Sequence, residues 1–178
     1  MFRGLGAAVV DADEATHAVY APGTPGFDTV VREFGEEFVR SGEIDRKKLG
    51  DVVFNDPAQR GRLNAIVHPL VRQWMAERTA EAVEGGAEVV VQDVPLLFEN
   101  GLQGLFSDTV LVYARPAIQV RRLIEERGLS AARAGAMLAA QMPIDEKRPL
   151  ADFVIDNNGS LDDTRRQVEE VWSRVRPR

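Results

Sequence analysis

Four short runs, 8–10, 88–91, 109–113 and 153–155, are rich in apolar residues at consecutive positions rather than at alternate ones, two of them opening on a polar residue, Glu88 and Thr109. Consecutive Val, Ile and Leu suit strands covered on both faces, and helical patterns separate the four runs. Strand followed by helix, repeated, predicts an α/β fold with a doubly wound parallel sheet. Phe27, Val30, Val31, Phe34 and Phe38 recur at helical spacing and mark one buried helix face. Leu63, Ile66, Val67, Leu70, Val71 and Trp74 mark a second, which His68-Pro69 is expected to interrupt. Further helices are expected over 117–127, 130–141 and 161–175. Residues 26–85 read as all helical, too long for a simple crossover, and so as an inserted helical subdomain. Together the 178 residues read as one domain with that insertion.

Composition narrows the function classes. The formal charge is −6, which argues against nonspecific nucleic-acid binding, and there is no cysteine for a disulfide, a thiol nucleophile or a thiolate zinc site. With two histidines, a histidine-based zinc site is not expected either. The apolar runs fall far short of the ~20 residues a membrane span needs. No signal pattern opens the chain, so a soluble, cytoplasmic protein is expected. Arginine greatly outnumbers lysine, which occurs only as Lys47, Lys48 and Lys147. A single arginine in this chain is therefore weak evidence of function.

In an open parallel sheet, ligands bind beyond the carboxyl ends of the strands. Three of the runs end there in polar residues: "VVDAD" with Asp11 and Asp13, "VVVQDVP" with Asp93, and "FVIDNNG" with Asp156, Asn157 and Asn158. Asp and Asn also favour turns and helix N-caps, but three such ends on one edge point to a site. Asp11 and Asp13 are expected on one side of the strand end, with Ala12 turned away. Such a carboxylate pair suits a divalent cation or general-base work on a hydroxyl. Asp93 followed by Leu96, Leu97 and Phe98 suggests a polar group beside an apolar ligand wall, although core packing explains such leucines equally well. His68 alone reads as a helix-end or hydrogen-bonding residue. The segment "VRRLIEERGLSAARAGAMLAAQMPIDEKRPLAD" suits a lid that brings guanidinium groups onto phosphates, with Arg122 and Arg127 favoured over a surface Arg133.

The collinear order of "VVDADEATHAVYAPGTPG", "LNAIVHPLVR", "DVPLLFENGL", "AAQMPIDEK" and "ADFVIDNNGSLDD" resembles the dephospho-CoA kinase family over nearly the whole chain. The resemblance implies a P-loop nucleotide-kinase fold. It also implies a helical coenzyme-binding subdomain at 26–85 and a lid at 117–148. The implied reaction is transfer of the ATP γ-phosphoryl group, with Mg2+, to the ribose 3′-hydroxyl of dephospho-CoA, the last step of coenzyme A synthesis. Dephospho-CoA and ATP are the implied small-molecule partners; the resemblance leaves the oligomeric state open.

Residue by residue, the resemblance makes Asp13 the base, places Asp93 at the phosphate and metal edge, and puts Arg122 on the phosphates. Asp11, His68, Pro69, Leu97 and Phe98 would serve the acceptor. Arg127, Asn157, Asn158 and Gly159 would serve ATP. Where Glu126 stands, the family commonly has an arginine. A larger departure is that no G-x-x-x-x-G-K-[ST] occurs in the 178 residues. "LGAAVVDAD" resembles the end of the helix that follows that loop, with Leu5-Gly6 reading as a helix C-terminus that has no helix before it. The expectation is a start set about 20–25 residues too late, on ordinary element lengths, or a shortened chain. Its sheet would carry a gap and its ATP turnover would be lost. The alternatives are a noncatalytic CoA- or nucleotide-binding remnant, another nucleotide or nucleoside kinase, and, more distantly, a D-x-D glycosyltransferase.

Overall fold

The structure, a computed structural model, describes residues 1–176. It comprises two compact units. Ala8–Asp93 form one; Met1–Ala7 and the chain from Val94 onward form the other.

In the first unit, β1 (Ala8–Asp11) leads into α1 (Ala12–Val19) and α2 (Pro25–Phe34). A hairpin of β2 (Val39–Arg40) and β3 (Glu43–Ile44) follows, then α3 (Arg46–Asn55), α4 (Pro57–Glu84) and β4 (Val90–Asp93). β1 and β4 pair in parallel, with Ala8 opposite Val90 and Asp11 opposite Asp93. The strand expected over 88–91 thus begins two residues later and carries Asp93 as its last residue.

Thr24 starts α2 by accepting from the Phe27 N–H, and Pro25 fits the first helical position, where no N–H is needed. Phe27, Val30, Val31 and Phe34 then pack with Val19, Phe38, Ile44, Leu49, Leu63 and Val67 into the core of this unit. Gly26 is required by close approach, because a β-carbon there would collide with the Val19 carbonyl oxygen.

Two expectations for residues 26–85 are corrected. The region is not all helical: Ser41 (φ 54°) and Gly42 (φ 82°) turn the β2–β3 hairpin, and left-handed conformation at both central residues matches the twist of the paired strands. Nor do His68-Pro69 interrupt the helix, since α4 runs unbroken through Pro69. His68, Pro69 and Ala65 are all exposed while Leu63, Val67 and Met75 face inward. The missing Pro69 N–H therefore leaves the Ala65 carbonyl on the solvent side, where it is open to water rather than buried unpaired.

In the second unit, one 3-10 turn, Phe2–Leu5, closes on Gly6 at φ 108°. A single turn has little stability alone; here Phe2 lies 6.5 Å from the Trp172 ring. From Val94 the chain forms β5 (Val110–Tyr113), α5 (Pro116–Arg127), α6 (Ala131–Ala139), α7 (Ile144–Lys147), β6 (Phe153–Asp156) and α8 (Leu161–Val175). β5 and β6 pair in parallel, with Tyr113 opposite Asp156. One face packs Leu111 and Tyr113 on Phe98; Ile155, fully buried, packs with Val168 and Val171 of α8.

The strands thus pair as two parallel couples, and no ladder joins β1–β4 to β5–β6 among the described residues. At the start of the β5–β6 couple, Asp152 accepts from both the N–H and the hydroxyl of Thr109, at 2.8 and 2.7 Å. Those bonds, the hydroxyl's first, hold the Asp152 carboxyl below its ordinary range.

Candidate functional site

The carboxyl end of the β1–β4 couple is acidic. Asp11 ends β1 and caps α1, accepting the Asp13 N–H at 2.7 Å and the Glu14 N–H at 3.4 Å. Asp13 is consequently a first-turn residue of α1, not a second strand residue beside Asp11, which corrects the expected geometry. D-x-x-E at the start of a helix was a readable capping signal. Asp93 stands opposite Asp11 in register. Burial raises the Asp93 carboxyl above its ordinary value, and the charges of Asp11 and Asp13 raise it further. Neither Asp13 nor Asp93 forms an ion pair among the described residues. The edge is three carboxylates without a counterion.

Such a set fits a cation brought by a ligand better than a resident one. No group of three or more His, Asp or Glu side chains among the described residues is arranged to cage a metal. Magnesium is commonly held through one or two carboxylates plus substrate phosphates. Asp93, pressed by two like charges, gains most from a cation.

Farther along α1, Asp13, His17 and Tyr20 follow at i, i+4 and i+7 and so share a face. His17 Nε2 accepts from Arg46 of α3, since arginine has donors only. Burial pushes the Tyr20 phenol up, and the Arg46 charge partly offsets that. His68 and Pro69 lie on the exposed side of α4.

In the second unit, the "DVPLLFENG" loop distributes its apolar residues unevenly. Phe98 is core, and Leu97 packs against the same cluster. Leu96 is 41% exposed and left-handed at φ 59°. That conformation costs a leucine about 1–2 kcal/mol. It is held where the Leu96 carbonyl accepts from both the backbone and side-chain N–H groups of Asn100. Nothing in the sequence marks Leu96, rather than its neighbour, as the exposed residue. Glu99 is tied down by Lys147 at 2.6 Å and by the Met142 N–H at 3.1 Å. Burial opposes the charge of Glu99, but these bonds prevail and its carboxyl lies below the ordinary value.

The carboxyl end of the β5–β6 couple is a hydrogen-bonded network. Arg122 of α5 donates to the Asn157 side-chain oxygen and, at 2.9 Å, to its carbonyl; the Asn157 amide donates to Thr164. Asn158 accepts the Arg115 N–H and donates to Asp156. Gly159 is exposed beside Asp163. A cleft of about 350 Å³ lies between α5 and α6, lined by Gln119, Arg122, Leu123, Arg127, Met137 and Leu138. Arg122 and Arg127 share that cleft, and Asn157 is fastened to the first of them.

Comparison with known proteins covers nearly the whole chain. The family model described as dephospho-CoA kinase matches residues 1–163. The chain belongs to the dephospho-CoA kinase family. A dephospho-CoA kinase of Geobacillus kaustophilus is 47% identical, the match covering 94% of this chain and 84% of that protein. One from Symbiobacterium thermophilum is also 47% identical, over 97% of this chain and 72% of that protein. Among solved structures, a Thermus thermophilus protein superposes with a TM-score of 0.84 at 35% identity, covering 99% of this chain and 88% of its own. The dephospho-CoA kinase of Campylobacter jejuni gives 0.70 at 26% identity, over 98% and 87%. The matched residues 1–163 span every stretch that carried the resemblance. No helix among the described residues is long and apolar enough to cross a membrane.

Proposed function

We propose that the site serves ATP-dependent phosphorylation of the ribose 3′-hydroxyl of dephospho-CoA. The observation that carries this reading is the acidic edge of β1–β4, with no ion pair to Asp13 or Asp93 among the described residues. Asp13 accepts the hydrogen bond of the 3′-hydroxyl and takes its proton as the bond from O3′ to the γ-phosphorus forms. The bond from that phosphorus to the β,γ-bridging oxygen breaks, and ADP leaves. Asp11 holds Asp13 in place through the helix cap.

Asp93 is the carboxylate suited to the magnesium that accompanies ATP; that ion supplies charge neutralisation at the β- and γ-phosphates. Arg122 and Arg127 meet the nucleotide from the α5–α6 cleft, with Asn157, Asn158 and Gly159 bordering it. His68 and Pro69, exposed on α4, are read as serving the acceptor; in the loop after β4, Leu97 and Phe98 are taken up by core packing and Leu96 is the member open to a ligand. Residues 26–85 act as the coenzyme-binding subdomain and 117–148 as the lid.

The 178 residues contain no phosphate-binding G-x-x-x-x-G-K-[ST]. One preorganised contact of that kind contributes about 3 kcal/mol to a transition state, so the residues present bind acceptor without useful turnover. Calorimetry with dephospho-CoA, alongside mass spectrometry of a reaction with ATP, tests both halves. Binding without coenzyme A formation is expected. Product from these 178 residues would overturn the loss of turnover. Binding of simple nucleosides in preference to dephospho-CoA would overturn the acceptor. With the strand, glycine-rich loop and helix of a relative fused ahead of residue 1, D13N is expected to lower turnover by roughly 10²–10⁴-fold.

A further inference from the structure

We infer that His17 and Arg46 form a diphosphate subsite for the acceptor nucleotide, one helical turn from the base; the inference rests on the functional reading above. All three residues lie in the first unit, and each is exposed. Asp13 and His17 are four residues apart on α1, about 6 Å at the α-helical rise. Within a nucleotide the 5′-phosphate hangs from the ring carbon next to the one bearing the 3′-hydroxyl. A hydroxyl on Asp13 therefore brings the diphosphate of the same ribose within reach of the next turn of α1.

The charges there lack partners. No carboxylate lies within ion-pair distance of Arg46 or Lys47 among the described residues. Arg46 spends one donor on His17, whose Nε2 it fixes as an acceptor, and the remaining guanidinium donors stay open. Lys48, by contrast, is engaged with the Glu37 carbonyl at 2.7 Å and lies over the Phe38 ring. The first turn of α3 carries Arg46, Lys47 and Lys48, and the acid at that helix start, the N-cap Asp45, accepts the Lys48 N–H at 3.0 Å and pairs with neither Arg46 nor Lys47 among the described residues. Two of the chain's three lysines fall at this one place. A ligand anion offsets that arrangement, and the planar guanidinium fork suits phosphate oxygens.

A diphosphate could belong to the acceptor or to ATP. Position favours the acceptor, because the Arg46–His17 contact shares the helix face of Asp13. The test titrates the 178-residue chain, wild type, R46Q and H17N, with dephospho-CoA, with adenosine and with ATP. Calorimetry serves the nucleotides and NMR shift titration the nucleoside, with thermal melting to verify folding.

R46Q is expected to weaken dephospho-CoA about tenfold or more, as loss of a charge-assisted hydrogen bond does. Its affinity should also depend less on salt, while adenosine and ATP stay within about twofold of wild type. H17N should weaken dephospho-CoA by a smaller factor. Equal losses for dephospho-CoA and adenosine would mean a structural role and overturn the subsite, as would unchanged dephospho-CoA binding or a loss confined to ATP. If R46Q does not fold, the same criteria apply to H17N and R46K, with R46K expected to retain most of the affinity. A wild-type chain that binds no dephospho-CoA fails the underlying functional reading; wild-type binding that both variants match fails only the subsite.

Discussion

The two parallel couples end alike in sequence and unlike in structure. β1 and β4 finish on Asp11 and Asp93, with Asp13 in the first turn of the next helix, and among the described residues Asp11 alone of these carboxylates accepts a hydrogen bond. β5 and β6 finish on Tyr113 and Asp156 and run into Asn157 and Asn158, whose side chains are bonded to Arg122, Thr164, the Arg115 N–H and Asp156. One edge holds like charges together without relief. The other has spent its polar groups on itself. The lesson is that unsatisfied groups at a strand end are free for a ligand, while paired ones first hold neighbouring side chains in place, here Arg122 beside its cleft.

The comparison implies that substitutions on the second unit's polar residues lower stability, while those on the acidic edge spare or raise it. The largest effect is expected at Lys147, whose side chain is 10% exposed beside a Glu99 at 18%. K147M leaves that carboxylate buried and unpaired, a loss of about 3–5 kcal/mol in urea unfolding. The double variant K147M/E99L should recover much of it. Equal stability of K147M and wild type would break the contrast at its strongest point.

R122A comes next, since it removes charged donors from Asn157; about 2 kcal/mol is expected by the same measurement. D11A is smaller, about 1 kcal/mol for the lost cap, and D11N should keep most of that stability because asparagine caps as well.

Asp93 carries the smallest effect and the opposite sign. Its carboxyl is raised in the fold, first by burial and then by Asp11 and Asp13, so folding disfavours its ionised form. The contribution of the protonated acid is present below the unfolded value, near 4, and is lost as pH rises through the folded one. D93N should therefore melt higher than wild type at pH 7, and the gap should close toward pH 3. A variant that melts lower at pH 7 would mean the acidic edge is structural after all.

Much of this was legible in the residues. Consecutive apolar positions located all four core strands and their parallel pairing, because burial on both faces leaves a local signature. Helical spacing gave α2, α5, α6 and α8 within a few residues, but only the middle of α4, which extends about six residues earlier and ten later than its marked face. The β2–β3 hairpin was hidden by its length, two residues a side, although Ser41-Gly42 is a turn signal. Pro69 read as a break because its effect depends on which side of α4 meets water, and that is set by packing rather than by the dipeptide. At the site, Asp93 at a strand end was readable and the Asp11 cap could have been. The Glu99–Lys147 pair, the left-handed Leu96 and the Arg46–His17 contact were not. Each depends on residues brought together by tertiary structure, or on a backbone angle its own residue type disfavours.

The 3-10 turn at Phe2–Leu5 has a consequence for how the chain is made. Its anchor, Trp172, lies 170 residues later, and the whole of Ala8–Asp93 comes between. At ribosomal speeds of about 5–20 residues per second, the turn waits roughly ten to thirty seconds for its partner. The unit from Ala8 to Asp93 is complete well before then and is free to fold first. Residues 1–7 thus find their place only after the whole of Ala8–Asp93 has been made.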